Sequence, residues 1–146
     1  MLTLYLTANK TIGSALIRAF TWSKWSHVVI EDGDHIIEAN WLKGVQRIPR
    51  HEALKKVSRM ARIDVGCNNP EAILARIRSQ IGKSYDFMSL LGFLFHKDWQ
   101  RTDKWNCSEL PAWAMAIEGE PVFRLEDASR IAPGHWWLIA PERLAF

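Results

Sequence analysis

From Ser26 to Val65 the chain is a succession of short β-branched runs cut by turns, and this pattern restricts the fold more than any other stretch. The runs are "HVVIE", "HIIEAN", "GVQRIP" and "SRMARIDV", the first two separated by Asp32-Gly33-Asp34. An Asp-Gly pair between alternating apolar runs is a strong hairpin signal, because glycine accepts the left-handed backbone that a tight loop demands. The segment predicts a meander of about four strands. Period-two alternation sets His27, Val29 and Glu31 on one face of their strand and Val28 and Ile30 on the other. Leu2, Leu4 and Leu6, alternating with Thr3, Tyr5 and Thr7, predict a further strand ahead of the meander.

Helical spacing governs much of the rest. Ile12, Leu16, Ala19 and Phe20 form an apolar stripe that runs to about Trp22. Asn69-Pro70 supplies an N-cap and a first-turn proline for a helix whose apolar face is Ile73, Leu74, Ile77 and Ile81, closed by Gly82. Between Asn106 and about Glu118, Leu110, Trp113, Ala114 and Ile117 make another stripe, and Asn106 with Glu109 resembles a capping box. A short helix near Leu125 to Arg130 and a last strand around Trp136 to Ala140 complete the pattern. The expectation is α+β, with helices packed on an antiparallel sheet. A chain of 146 residues without internal repeat or Gly/Ser linker is expected to form a single domain over 1–146.

Composition removes several function classes. The net charge of +3 and isoelectric point near 9.0 are mildly basic. The cations between Arg47 and Arg62 are interleaved with apolar residues, as on the wet face of a helix and strand, so no nucleic-acid partner is expected. The longest apolar run, "FMSLLGFLF" from Phe87 to Phe95, is nine residues and too short for a transmembrane segment. "MLTLYLTANK" alternates like a strand and lacks the pattern of a signal peptide, so the expected location as synthesised is cytoplasmic. Two cysteines 40 residues apart form neither a disulfide framework nor a CxxC pair. There is no HExxH, no zinc-like spacing, no phosphate-cradling glycine loop and no GxSxG elbow, so no cofactor or metal is expected. Oligomeric state is not encoded in any pattern of this kind.

Chemistry centres on "KWNCSEL", residues 104–110. A thiol at a helix start feels the positive end of the macrodipole and nearby N–H donors, both of which favour thiolate, and the same donors suit an oxyanion. Cys107 is either such a nucleophile or a small core residue. Among the five histidines, His27 begins an apolar strand, where its imidazole can face a helix terminus across a cleft. His35 beside Asp34 falls in the hairpin turn and is expected in solvent, His51 and His96 are expected in polar loops, and His135 follows Pro133-Gly134; turn or packing roles suffice for them. Glu38 interrupts the otherwise apolar "HIIEAN", and the hairpin brings it alongside "SHVVIE"; it either orients His27 or points to solvent.

Taken together, "LIRAFTWSKWSHVVI", "HIIEAN", "GKSYDF", "NCSEL" and "RIAPGHWWL" resemble, in order and spacing, the circularly permuted papain-like hydrolases related to the NlpC cell-wall peptidases. The lecithin:retinol acyltransferases are cousins with the same order, the histidine strand leading and the cysteine helix closing the chain. The resemblance covers about Ile12 to Leu138 and implies Cys107 as nucleophile, His27 as general base, Glu38 as orienting acid and Tyr85 as a donor to the oxyanion. It implies a Cys-His-Glu cysteine peptidase or amidase without a cofactor, acting on a peptide or amide substrate. A lipid acyltransferase or esterase with the same triad, and a non-catalytic binding module on the same fold, are the alternatives. Pro111 departs from the pattern: with Asn106 as N-cap it falls at the fifth helical position, whereas capping by Ser108 moves it into the first turn and leaves Cys107 just outside.

Overall fold

The alternation of Leu2, Leu4 and Leu6 becomes β1 (Leu2–Ala8), which lies in the interior of the main sheet of this computed structural model; residues 1–40, 42–85, 104–124, 130–140 and 142–145 are described. β2 (His27–Asp32) pairs with one edge of β1 and β5 (Arg59–Val65) with the other, both antiparallel. β3 (His35–Asn40) and β4 (Gly44–Pro49) extend the sheet beyond β2. Beyond β5 lies β8 (Glu142–Ala145), giving the order β4-β3-β2-β1-β5-β8. A separate two-stranded parallel pair joins β6 (Ser84–Tyr85) to β7 (Lys104–Trp105). The helices are α1 (Ile12–Thr21), α2 (Arg50–Leu54), α3 (Pro70–Arg78), α4 (Glu109–Ile117) and α5 (Pro133–Ile139). The molecule is therefore α+β, with helices on an antiparallel sheet. No helix among the described residues is long and apolar enough to cross a membrane.

One face of the sheet carries the larger core. Leu2, Leu4, Leu6, Val28, Ile30 and Ile63 pack under Ile73 and Ile77 of α3, Leu110 and Met115 of α4, and Trp136 of α5. Each of these aliphatic side chains stabilises the fold by roughly 1.5–3 kcal/mol of removal from water. The opposite face buries a smaller cluster, Tyr5, Val29 and Ile36, against Ala53 and Leu54 of α2 and Met60 of β5.

Two expectations change. The first three runs form the predicted meander, but the fourth does not continue it: α2 intervenes and β5 crosses back to pair with β1. The final strand expected at Trp136 to Ala140 is instead α5. Pro133 takes its first position, where a missing N–H costs nothing, and the Ala132 N–H donates to His135 Nδ1 across the first turn at 3.0 Å. Trp136 and Ala140 are buried while Leu138 and Ile139 are exposed, a helical rather than an alternating pattern. In α1 the period holds, but Ile12, Leu16 and Ala19 of the stripe are exposed, the Phe20 side chain lies outside what is described, and among the described side chains of the helix the buried one is Ser14, bonded to Ser26 Oγ at 2.7 Å. The apolar run from Phe87 to Phe95 lies outside the described residues, as does the helix expected from Leu125 onward except for Arg130.

Two devices hold the hairpin end of the sheet. Gly33 has φ 62°, the left-handed value the first position of the Gly33-Asp34 loop needs, and Asp32 pairs with His35 across it. The Asp32 carboxylate, 3% exposed, accepts from Arg47 Nε on β4 at 2.5 Å and from Arg78 Nη2 on α3 at 2.5 Å. At the far end of β4, Gly44 (φ 73°) lets the chain pass so close to Lys83 that a Cβ would collide with its carbonyl. Val45 N–H donates to Lys83 O and Gly82 N–H to Val45 O, both at 2.8 Å, which fixes the entry to β6.

Removing the Asp32 charge tests the first device. Asp32→Asn is expected to lower stability by about 2 kcal/mol in urea denaturation at neutral pH, less than for a fully buried pair because both arginines reach solvent. The two arginines hold the Asp32 carboxyl below its ordinary range against the opposing effect of burial. Its contribution is thus full above the ordinary carboxylate pKa and lost as pH falls through the depressed value. The variant should show a flatter acid limb in stability against pH.

Candidate active site

His27 is the first residue of β2 and Glu38 the fourth of β3. The β2–β3 register runs from Asp32↔His35 to Ile30↔Ile37 and does not extend to His27. Past that point the two strands carry side chains that meet instead: His27 Nε2 lies 2.8 Å from Glu38 Oε2. A carboxylate can only accept, so Nε2 bears the hydrogen of this bond. Glu38 is held from its other side by β4, whose Gln46 is its register partner and donates Nε2–H to Glu38 Oε1 at 2.7 Å. Asn40 lies close enough to help hold the carboxyl below its ordinary range.

Cys107 meets this pair from the helical layer. Its side chain is buried beside His27 and the Val28 backbone, close enough for the imidazolium and the Val28 N–H to act on the charge of the sulfur, and Ser108 Oγ stands 3.9 Å from it. With Nε2 committed to Glu38, the nitrogen left for the sulfur is Nδ1. The histidine thus stands between a thiol and a carboxylate, bonded to the carboxylate through Nε2.

Each of the three groups balances burial against its partners. Burial pushes the His27 imidazole down, but the facing Cys107 thiolate and the Glu38 carboxylate outweigh it and raise it from 6.5 to about 10. Burial pushes the Cys107 thiol up; the His27 imidazolium, the Val28 N–H and the Ser108 hydroxyl bring it below its usual value. Burial likewise opposes ionisation of Glu38, and His27, Gln46 and Asn40 prevail to hold it below the ordinary carboxylate value. The arrangement therefore favours thiolate with imidazolium, the form in which sulfur is nucleophilic.

The helix contributes less than its position in the sequence suggests. α4 begins at Glu109, so Cys107 sits in the turn ahead of it, and Pro111 occupies the first turn, where it is tolerated. Asn106, not Ser108, supplies the cap: its Oδ1 accepts from Ser108 N–H at 2.9 Å and Glu109 N–H at 2.7 Å. Those two N–H groups are occupied, which corrects the expectation that they stand free for an oxyanion. Trp136 Nε1–H on α5 donates to Ser108 O at 3.1 Å and holds the turn against the core.

The remaining candidates separate. Tyr85 lies on β6 directly opposite Trp105 in the parallel pair, so its backbone is level with a residue two before Cys107. His35 opens β3, and His51 lies on α2, 82% exposed, rather than in a loop. His135 belongs to α5, and His96 falls outside the described residues. Cys67 is a half-buried free thiol at the margin of the larger core. Among the described residues no three His, Cys, Asp or Glu side chains converge as metal ligands. Sequence reading missed Gln46, Asn40 and the Val28 N–H. Gln46 becomes legible only once the β3–β4 register is known, because nothing in "GVQRIP" says which carboxylate it will oppose. No protein-family model matches the chain, and no match is found among curated proteins.

The site makes a prediction about thiol reactivity against pH, with Cys67 as internal reference. Cys107 should alkylate with iodoacetamide about tenfold or more faster than Cys67 at pH values of about 6 to 7, below the ordinary thiol range. His27→Ala should erase that advantage. Glu38→Gln removes a charge that raises His27, so the imidazolium titrates at lower pH and the alkaline edge of the ion-pair window moves down. Mass spectrometry of the two cysteine peptides reads all three outcomes.

Proposed function

We propose that this chain is a thiol hydrolase on a permuted papain-like fold, cleaving a peptide or related amide bond through Cys107, His27 and Glu38. One observation carries the reading: a single imidazole stands between a buried sulfur whose ionisation it influences and an anchored carboxylate 2.8 Å from its Nε2. In this reaction the Cys107 thiolate attacks the substrate carbonyl carbon, and its electron pair moves onto the oxygen. Tyr85 is the donor we assign to that oxyanion. Collapse breaks the carbon–nitrogen bond as His27 gives its Nδ1 proton to the leaving amine, leaving a thioester. His27, now neutral, takes a proton from water as it attacks the thioester. The acid product departs and the thiolate–imidazolium pair is restored. Glu38 keeps its proton count throughout, holding the Nε2–H and stabilising the imidazolium.

The experiment is acylation by p-nitrophenyl acetate and turnover of peptide nitroanilides by the full chain. A burst of nitrophenol with a thioester located at Cys107 is expected, absent in Cys107→Ala. His27→Ala should slow acylation by about a thousandfold, within the usual range for loss of a general base, and Gln46→Leu by less. Acyl groups found on Cys67, or an unchanged rate in His27→Ala, would refute the assignment.

A further inference from the structure

The helix α1 turns apolar side chains to solvent. Ile12 is 82% exposed and Leu16 52%, with exposed Ala15 and Ala19 beside them, while among its described side chains Ser14 is the buried one and Ile17 is half-buried. At its C-cap stands Trp22, 96% exposed and the one described non-glycine residue with positive φ, 50°. Helices usually place glycine or asparagine at such a left-handed cap, and a bulky aromatic there is a strained choice that folding does not require. α5 continues the same surface. Its N-terminal turn touches the segment after α1, where a Cβ on Gly134 would meet Ser23 Oγ, and the Trp25 and Trp137 rings are 5.4 Å apart. Leu138, 70% exposed, and Ile139 are its outward apolar residues. A cleft of about 630 Å³ between the two elements is lined by Trp22, Lys24, Arg59 and Leu138, among others.

Charge says what covers this surface. The first 30 residues carry Lys10, Arg18 and Lys24 and not one carboxylate, while the other 116 hold 16 basic and 16 acidic side chains. The formal +3 of the chain therefore sits wholly on the segment containing α1. We propose that α1, Trp22 and the exposed end of α5 form a docking surface for an anionic lipid bilayer. An apolar helix face flanked by cations lies in the headgroup region with its side chains in the acyl boundary, and tryptophan favours that depth. A second copy of the chain fits less well, because pairing this face with itself sets Lys10, Arg18 and Lys24 against their own kind. Docking would bring the His27 end of β2, five residues beyond Trp22, close to the bilayer, and it does not depend on the hydrolase reading.

The test is co-sedimentation of the full chain with phosphatidylcholine vesicles, with and without phosphatidylglycerol. Binding is expected only with the anionic lipid, weakening steeply as salt rises. Leu16→Glu and Trp22→Gly should each lower the partition coefficient about tenfold or more. Trp22→Gly also relieves the left-handed cap, so its melting temperature should not fall while its binding does, which separates docking from folding. Lys10→Glu with Lys24→Glu should weaken binding to anionic vesicles, Ile117→Glu on α4 should not, and Cys107→Ala should bind like the unaltered chain. Absence of binding, equal binding to both vesicles, or a self-associated chain that Leu16→Glu splits into monomers would each overturn the proposal.

Discussion

The Asp32 carboxylate joins three elements that are distant in sequence: it ends β2 and accepts from Arg47 on β4 and Arg78 on α3. Arg78 is itself held by Glu71 at 2.6 Å, one helix length earlier. A carboxylate so nearly buried without these partners would be costly, so the sheet edge and the helical layer are obliged to arrive together. At the other end of the hairpin the paired register stops at Ile30↔Ile37, and beyond it the side chains of His27 and Glu38 face each other.

The source of thiolate stabilisation follows from the same geometry. A helix macrodipole acts within the first turn, and Cys107 lies ahead of α4 with the nearest amides already taken by Asn106 Oδ1. Coulomb attraction to His27 and the nearby Val28 backbone N–H remain as influences that lower the thiol. The charge on the sulfur therefore depends on the sheet more than on the helix that follows it, and the carboxylate on β3 and amide on β4 act on the sulfur only through the imidazole. Gln46 and Asn40 are accordingly positioning residues for Glu38.

How far the sequence anticipates this can be judged element by element. The hairpin was legible because Gly33 and the alternation on either side encode it locally. The pairing of Glu38 with His27 was legible as a candidate, since an ionisable group in an apolar strand needs a partner, but solvent was an equal alternative until the register placed Gln46 on its far side. α5 was misread because "HWWLI" is rich in residues that favour strands, and the proline at N1 with the Ala132–His135 bond decided for helix. β5 was misplaced because local pattern carries no information on which edge of β1 a strand will choose.

α1 is the sharper case, since its period gives the helix but says nothing of which way its apolar side turns. Apolar spacing at 3.6 residues says that one face of a helix avoids water, but not that the protein itself must cover that face. Among the described side chains of α1 the buried contacts are those of Ser14, with Ser26 Oγ at 2.7 Å and with the Asn9 N–H at 3.1 Å, so hydrogen bonds fasten the helix to the sheet while Ile12, Leu16 and Ala19 stay outside. Burying that stripe would require rotating α1 and breaking those bonds. A helix held in this way keeps its apolar face available, and the cations of the first 30 residues, which no nearby carboxylate in that segment neutralises, give that face its preference for an anionic surface.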